Sequence, residues 1–262
     1  MAEYKFDIED EVGLLTLTRP DVLNALTLEL YADLRDLFRE LHAEEQPKVL
    51  VITGEGRAFC SGGDVEKIIG KLLEDDMRSH LEFTRMTGEV VKYMRRLDKP
   101  IIAAVNGIAA GAGAVLALAS DLRVVAESAS FSFLFTQAGL AGADMGAAYL
   151  LPRVVGVGRA AEILMLGEKV DADSAERMGL ANRVVPDGEL LDTAMAIARQ
   201  LADGPTFALA ATKRMIENER NMDLASALES EAQVQALMMM GEDHKAFYKA
   251  FKNKEKPRFK GR

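Results

Sequence analysis

Two glycine-rich turns are the places in this chain where backbone groups are best arranged for chemistry. The first is FCSGGDVEKI (59–68), in which SGGD (61–64) follows the apolar run VLVIT. The second is NGIAAGAGAV (106–115), which follows the apolar run IIAAV. Glycine has no Cβ, so a ligand can approach the backbone closely at such turns. Both turns are therefore candidate sites for holding an oxygen atom.

The two turns predict a shared oxyanion site if their strands are neighbours in one sheet. A helix that begins at 112–114 leaves unpaired N–H groups at the positive end of its dipole. The N–H groups of Ser61 and Ala112 would then meet at one oxygen, and such donors stabilise an enolate or a tetrahedral oxyanion. The alternative interpretation is that both are ordinary turns between a strand and a helix, where glycine is common.

The elements that position these turns alternate between strand and helix patterns. We predict strands at five short runs: LLTLT (14–18), KVLVIT (48–53), IIAAV (101–105), LRVV (122–125) and FSF (131–133). The runs VLVIT and IIAAV are apolar throughout, which is typical of strands buried on both faces of a parallel sheet. Leucine and phenylalanine at helical spacing predict a helix over 26–41. The chain is therefore expected to be an α/β protein with crossover connections.

The strand pattern fades beyond about residue 140, and helical patterns take its place. Long helices are predicted over 187–203, 205–221 and 223–239. We therefore expect an α/β core over residues 1–200 and a helical C-terminal region over residues 201–262.

The bulk composition excludes several classes of function. A formal net charge of −9 argues against a nucleic-acid-binding protein, which needs a basic face. A single cysteine, Cys60, and three widely separated histidines predict neither a disulfide nor a bound metal. The longest weakly polar run is too short to span a bilayer and the N-terminus has no apolar signal segment, so we expect a cytoplasmic protein without a membrane partner. The turn GAGAV lacks the third glycine of the dinucleotide-binding motif, which argues against binding of a dinucleotide cofactor there.

Several long motifs in order resemble the enoyl-CoA hydratase/isomerase, or crotonase, superfamily over nearly the whole chain. They are LTRPDVLNALT (17–27), GRAFCSGGDVEK (56–67), KPIIAAVNGIAAGAGAVLALASDLRVVAESASF (99–131), the segment from LLPR to RVVP (150–186) and the tail FKNKEKPRFKGR (251–262). The resemblance implies a spiral of ββα units with a C-terminal helical trimerisation region. It also implies a homotrimer or a dimer of trimers, acyl-CoA thioester substrates and no cofactor other than the coenzyme A of the substrate.

The resemblance implies that two backbone N–H groups hold the thioester enolate. By motif position, these are the N–H groups of Ser61 and Ala112. Hydratases of the family carry two glutamates, and this chain has Val115 and Phe135 in their places. Neither side chain can move a proton, so simple hydration is disfavoured. The remaining acid is Asp144, in the loop before the helix that leads to Tyr149. Some relatives have an aspartate in the corresponding loop. Asp144 has two interpretations that can coexist: an acid/base in an apolar pocket, or the N-cap of a helix near 145–151.

The resemblance implies isomerase-type or related chemistry, with CoA-thioester hydrolysis or cleavage and non-catalytic acyl-CoA binding as alternatives. Three glutamates on predicted helices over the site are weaker candidates and are expected to face solvent: Glu66, Glu82 and Glu89. By the same resemblance, the residues expected to line the acyl or CoA site are Val22, Ala25, Asp64, Val65, Gly111, Phe135, Phe251 and Lys254. The last two are expected to reach the coenzyme A, in some similar proteins that of a neighbouring subunit.

Overall fold

The computed structural model describes residues 3–73 and 75–262. Its strands are β1 (Tyr4–Glu9), β2 (Val12–Leu17), β3 (Val49–Gly54), β4 (Ala58–Cys60), β5 (Ile101–Val105), β6 (Ile108–Ala110), β7 (Leu122–Ala126), β8 (Ser130–Ser132), β9 (Val170–Asp171) and β10 (Arg183–Val185). Its α-helices are α1 (Leu28–Glu40), α2 (Gly70–Leu72), α3 (Met77–Arg96), α4 (Ala112–Ala119), α5 (Ala147–Val155), α6 (Val157–Leu166), α7 (Ala172–Arg177), α8 (Leu190–Ala202), α9 (Thr206–Glu219), α10 (Leu224–Met240) and α11 (Glu242–Asn253).

The strands form two sheets, and successive strand pairs supply one strand to each. The larger sheet has the order β1-β2-β3-β5-β7-β10, and the smaller has the order β4-β6-β8-β9. The pairs β3/β4, β5/β6 and β7/β8 are each followed by helices, which gives the expected spiral of ββα units. Pairing is parallel from β2 to β10 in the larger sheet and from β4 to β8 in the smaller. Strands that are consecutive in a sheet therefore place their carboxyl ends at one edge.

Burial explains why the sequences of the central strands are continuous apolar runs. Every residue of β3 and of β5 is buried, as expected for strands covered on both faces. The short helix α4 is also buried along its whole length, because it lies between the sheets and the helices α3 and α5. The segment that begins with the second glycine turn is thus held rigidly by its surroundings.

The sequence predicted five of the ten strands that the structure describes and missed the N-terminal strand β1 as well as four short ones. The expected strands correspond to β2, β3, β5, β7 and β8. The strands of two or three residues, β4, β6, β9 and β10, are too short to show a period of their own. β10 lies in the region where only helices were expected, and it pairs with β7 because the chain returns to the sheet edge there.

The C-terminal helices are joined to the core by a buried ion pair. The ammonium of Lys213 on α9 lies 2.7 Å from the carboxylate of Asp121, which also accepts a hydrogen bond from the Ile101 N–H at 2.8 Å. α8 packs directly on the larger sheet. The division at residue 200 stays a prediction.

Two absences apply to the part of the chain that the structure describes. None of its helices combines the length and the hydropathy needed to cross a membrane. Within the same ranges, no three side chains of His, Cys, Asp or Glu come together as a metal site would require.

Candidate functional site

The two glycine turns lie against each other at the ends of β4 and β6, which are neighbouring parallel strands. A Cβ atom at position 62 would lie 3.4 Å from the backbone nitrogen of Ala112 and 3.0 Å from the carbonyl oxygen of Ala110. A Cβ atom at Gly111 would lie 3.8 Å from the Cα of Gly62. The spacing expected for a shared site is therefore present.

Two of the glycines make this close approach possible. Gly62 has φ +102°, a conformation that residues with a side chain rarely adopt. A Cβ at Gly113 would lie only 2.0 Å from the carbonyl oxygen of Cys60, so no other residue fits there without moving the backbone. The first turn of α4 is consequently pressed against the end of β4.

The hydrogen bonds of the first turn overturn the prediction for Ser61. Its N–H donates to the carbonyl oxygen of Leu23 at 2.9 Å, so it is not available to a ligand. The Asp64 N–H donates to the Leu26 carbonyl at 2.8 Å, and the Leu26 N–H donates to the Gly62 carbonyl at 2.8 Å. The sequence gave no sign that the segment near Leu23 would pair with this turn.

Gly63 is the residue of the first turn whose amide keeps no acceptor among the described residues. It is exposed, whereas Gly62 on one side and Asp64 on the other are buried. The Gly62 N–H is directed at the thiol of Cys60. Burial raises the pKa of that thiol to about 12, so Cys60 is a packed side chain and not a nucleophile.

The second turn has the arrangement that the sequence predicted. The Gly111 N–H donates to the Ser132 carbonyl at 2.8 Å, and the Val115 N–H donates to the Gly111 carbonyl at 3.1 Å. Ala112 is the first residue of α4, and among the described residues no acceptor is paired with its N–H. It is thus an orphan donor of a helix N-terminus.

Asp144 lies in a strained turn and does not cap the following helix with its side chain. Its Oδ1 accepts the N–H of Met145 at 2.9 Å, and α5 begins after Gly146 without a side-chain cap. Met145 is buried and has φ +48°, which is unusual for a residue with a side chain. The capping interpretation is therefore wrong, and such strain is often found at functional sites.

The environment of Asp144 favours its protonated form. Burial raises the pKa of its carboxyl above the usual range, although the hydrogen bond from the Met145 N–H acts in the opposite direction. A half-buried carboxylate of this kind is suited to accept and return a proton.

No second acid is present at the positions where hydratases of the family carry glutamates. Val115 is fully buried, and Phe135 is buried against the core. The three glutamates considered from the sequence lie outward: Glu66 is exposed, Glu82 pairs with Arg78 at 2.9 Å, and Glu89 approaches Lys92 at 3.9 Å.

The segment that holds the first turn includes the predicted coenzyme A residues Val22 and Ala25. Asn24 is buried between them and donates to the carbonyls of Glu55 at 2.9 Å and Ala58 at 2.8 Å. The Val22 carbonyl also accepts a hydrogen bond from the Ser61 hydroxyl at 3.4 Å. These bonds place both predicted residues beside the glycine turn.

Asp64 has a structural role that the sequence did not indicate. Its carboxylate pairs with Arg19 at 2.9 Å and accepts the N–H of Lys67 at 3.1 Å as a helix cap. Burial acts to raise the pKa of Asp64, but these bonds hold it below the usual value. The adjacent Val65 is 64% exposed, so it remains accessible to a ligand.

Phe251 and Lys254 lie at the end of α11. Phe251 is 71% exposed and stacks on Phe247 with ring centroids 6.2 Å apart. Among the described residues, no hydrogen bond or ion pair joins Phe251 or Lys254 to the segment from Val22 to Ala25.

Sequence reasoning missed Tyr31 as well as Gly63. Tyr31 is a buried residue of α1, and its hydroxyl oxygen would lie 3.7 Å from a Cβ at Gly63. The charge of Asp144 contributes to a raised pKa of this phenol, after burial and Cys60, so both acids lie near one site. The available signal was a phenol on the otherwise aliphatic and phenylalanine face of the helix.

Comparison with known proteins gives consistent results over the whole length. The sequence matches the family model described as enoyl-CoA hydratase/isomerase over residues 7–262. The 1,2-epoxyphenylacetyl-CoA isomerase of Escherichia coli is 37% identical over 257 residues, which are 97% of this chain and 97% of that protein.

Solved structures agree in fold as well as in sequence. A protein of Streptomyces coelicolor A3(2), described as a "putative enoyl-CoA hydratase", is 53% identical with a TM-score of 0.98, over 100% of this chain and 95% of that chain. The enoyl-CoA hydratase of Bacillus anthracis is 31% identical with a TM-score of 0.93, and each chain is covered completely. The expected fold class is confirmed by these similarities.

Proposed function

Because the chain belongs to the enoyl-CoA hydratase/isomerase family, we propose that it binds acyl-CoA thioesters and isomerises them through a thioester enolate. The observation that carries this proposal is the half-buried carboxyl of Asp144, whose pKa is raised by burial, in a site where Val115 and Phe135 occupy the positions at which hydratases of the family carry glutamates. One base can remove and return a proton, whereas hydration in this family uses paired carboxylates.

The thioester oxygen is held by two backbone donors in this proposal, and they are Gly63 and Ala112. Both amides lack an acceptor among the described residues, and they belong to turns that are in contact. When a base removes a proton from the carbon next to the carbonyl, the electron pair moves to the carbonyl oxygen. Each amide stabilises that developing charge, typically by about 3–4 kcal/mol.

Asp144 acts as the base and then as the acid. Its ionised carboxylate takes the proton from the carbon next to the thioester carbonyl, and its protonated form returns it to a carbon further along the acyl chain. The double bond shifts and no atom is gained or lost. Burial supports both steps, because a raised pKa brings the two protonation states closer in free energy.

The coenzyme A moiety lies along the segment from Val22 to Ala25, with Gly111 and Val65 beside it. The exposed Phe251 and Lys254 reach a coenzyme A bound to a neighbouring subunit, since within one chain no hydrogen bond or ion pair of the described residues brings them to this segment. No cofactor is needed beyond the coenzyme A of the substrate. The cytoplasm, where acyl-CoA metabolites are available, is the proposed location.

A homotrimer, alone or paired into a hexamer, completes the proposal. Large apolar side chains are exposed on the C-terminal helices: Phe207, Ile216, Leu224, Leu228, Leu237, Met239, Met240, Phe247 and Phe251. Exposed apolar groups in such number on one region support burial against further copies. A monomer mass in light scattering would contradict this part.

A double-bond shift assay tests the reaction. With 3-hexenoyl-CoA as substrate, conjugation of the thioester gives an ultraviolet signal, and we expect Asp144→Asn to lower kcat by about a thousandfold, in the middle of the range for acid–base groups. In wild type, kcat/KM should rise with pH through a midpoint above the ordinary value for an aspartate, because the base is ionised only above its raised pKa.

The matched control is Glu82→Gln, which removes an exposed carboxylate on α3 and should leave the rate unchanged. Rapid hydration of crotonyl-CoA that persists in Asp144→Ala would contradict the proposed reaction. Tight binding of acyl-CoA without turnover of any thioester would instead identify a non-catalytic binder, and release of free coenzyme A would identify a hydrolase.

A further inference from the structure

We propose that the hydroxyl of Tyr31 donates a hydrogen bond to an oxygen atom carried by the acyl group, which makes Tyr31 a specificity-determining residue. The inference rests on the proposed function, because it assumes that a thioester lies against the two turns. It adds a substrate class: acyl groups that bear a neutral oxygen close to the thioester.

The ring of Tyr31 is fixed by its packing. Tyr31 lies in the first turns of α1 and is 3% exposed. Its ring meets that of Phe83 on α3 edge to face, with centroids 6.1 Å apart and planes at 83°. Such aromatic pairs have a preferred geometry, so the hydroxyl is held in one direction.

That direction leads to the space in front of Gly63. A Cβ atom at position 63 would lie 3.7 Å from the Tyr31 hydroxyl oxygen and 3.7 Å from the Cδ1 of Ile68. A phenol oxygen and an aliphatic carbon therefore bound the same space. The first acyl carbons are bonded to the carbonyl that Gly63 holds in the proposed site, so they lie beside this boundary.

The hydroxyl of Tyr31 has no partner within the part of the chain that the structure describes. Buried tyrosine hydroxyls usually have one, because an unpaired polar group loses its bonds to water. The hydroxyl is not sealed from solvent, since in the described part of the chain the fully enclosed side-chain atoms without a partner belong to Arg95, Glu219 and Arg220. A reachable donor without an acceptor in a binding site indicates that the ligand supplies the acceptor.

Electrostatics narrows the chemistry of that acceptor. Burial, together with Cys60 and Asp144, raises the pKa of the Tyr31 phenol well above its ordinary value, so it remains a neutral donor. Asp144 is close enough to act on Tyr31 through its charge, but no hydrogen bond joins the two side chains. An anionic acyl group between them would meet the Asp144 carboxylate, whereas a hydroxyl, carbonyl or epoxide oxygen would not.

The acceptor also decides selectivity. An acyl chain of carbon and hydrogen alone leaves the phenol unpaired when it expels water from this space, and that loss disfavours the plain chain. An acyl chain with a suitably placed oxygen accepts the hydrogen bond of the phenol, so this loss does not occur. The preference for an acyl group with an oxygen over a plain hydrocarbon chain should therefore depend on the hydroxyl oxygen of Tyr31.

Equilibrium binding tests the inference without requiring turnover. Titration calorimetry would compare butyryl-CoA with 2-hydroxybutyryl-CoA and 3-hydroxybutyryl-CoA in wild type and in Tyr31→Phe, which keeps the ring and its contact with Phe83. We expect at least one hydroxyacyl thioester to bind wild type about tenfold more tightly than butyryl-CoA, as one hydrogen bond allows. In Tyr31→Phe this preference should disappear while the affinity for butyryl-CoA is kept.

The matched control is Tyr93→Phe, which removes a phenol of α3 that lies against Lys92, and it should keep the wild-type preference. A preference that persists in Tyr31→Phe, or its absence in wild type while butyryl-CoA binds, would overturn this inference and leave the proposed function intact. Failure of every thioester to bind would overturn both.

Discussion

The two glycine turns look alike in sequence but hold their backbone groups in different ways. The second turn is simple: β6 ends, Gly111 takes a positive φ, and Ala112 begins α4 with an N–H that has no acceptor among the residues described. The first turn is paired with a distant segment, because Leu26 bridges Gly63 in a parallel arrangement and Leu23 accepts the Ser61 N–H. In the second turn the amide that the local pattern predicts has no acceptor among the described residues, whereas in the first turn the amide without an acceptor lies two residues after the predicted one.

The difference shows what a local pattern omits. A helix N-terminus leaves its first amides unpaired whatever the rest of the chain does. A loop amide is free only if no other segment uses it, and that depends on tertiary contacts. Three sets of substitutions separate these contributions.

The largest effect is expected where the two turns touch. Gly113→Ala places a Cβ 2.0 Å from the Cys60 carbonyl oxygen, so α4 and β4 must move apart. We expect a loss of about 3 kcal/mol or more in the free energy of unfolding, measured by urea titration. Gly88→Ala is the control: it lies inside α3 with no atom within 4 Å of the new Cβ, and should stabilise by about 0.5–1 kcal/mol. Equal effects of both changes would show that the contact between the turns is not tight.

A smaller effect, confined to the first turn, is expected for Asn24→Ala. The change leaves the Glu55 and Ala58 carbonyls without their donor and should cost about 2 kcal/mol. Hydrogen exchange should become faster at the Ser61 amide, whose acceptor lies in the loosened segment, and should not change at Val115 in the second turn. Faster exchange at both amides would mean that the two turns are held as one unit.

The smallest effect is expected for Gly63→Ala, which is compared with the same substitution at the adjacent Gly62. Gly62→Ala forces a side chain into φ +102° and against the Ala110 carbonyl, which should cost about 1–3 kcal/mol. Gly63→Ala meets nothing closer than 3.7 Å, so the free energy of unfolding should change by less than about 0.5 kcal/mol. Thermal melts of both variants measure the difference. A costly Gly63→Ala would contradict the open space proposed in front of its amide.

Much of the fold could be predicted because its signals are local. β3 and β5 are almost entirely apolar and are buried at every residue. This is the pattern expected for strands of a parallel sheet that is covered on both faces. β10 could not be predicted, since three residues carry no period and its pairing with β7 depends on the return of the chain. α11 lies beyond the last helix that the sequence predicted, which ends at residue 239.

The candidate site was predictable to the same extent. Ala112 and Asp144 were predicted from a helix start and from a lone acid in an apolar loop, and their roles as donor and base stay predictions. Gly63 and Tyr31 were not found, because one depends on which amides are already used and the other on a helix packed across the site.

The sequence by itself determined the family, the α/β order of elements and the position of the helix N-terminus beside the second turn. These follow from apolar periods, glycine spacing and ordered motifs, all of which are properties of neighbouring residues. Only the tertiary structure decided which amide of the first turn remains free, and which phenol faces it. Hydrogen bonds and side-chain contacts between distant segments make those choices, and no local pattern records them.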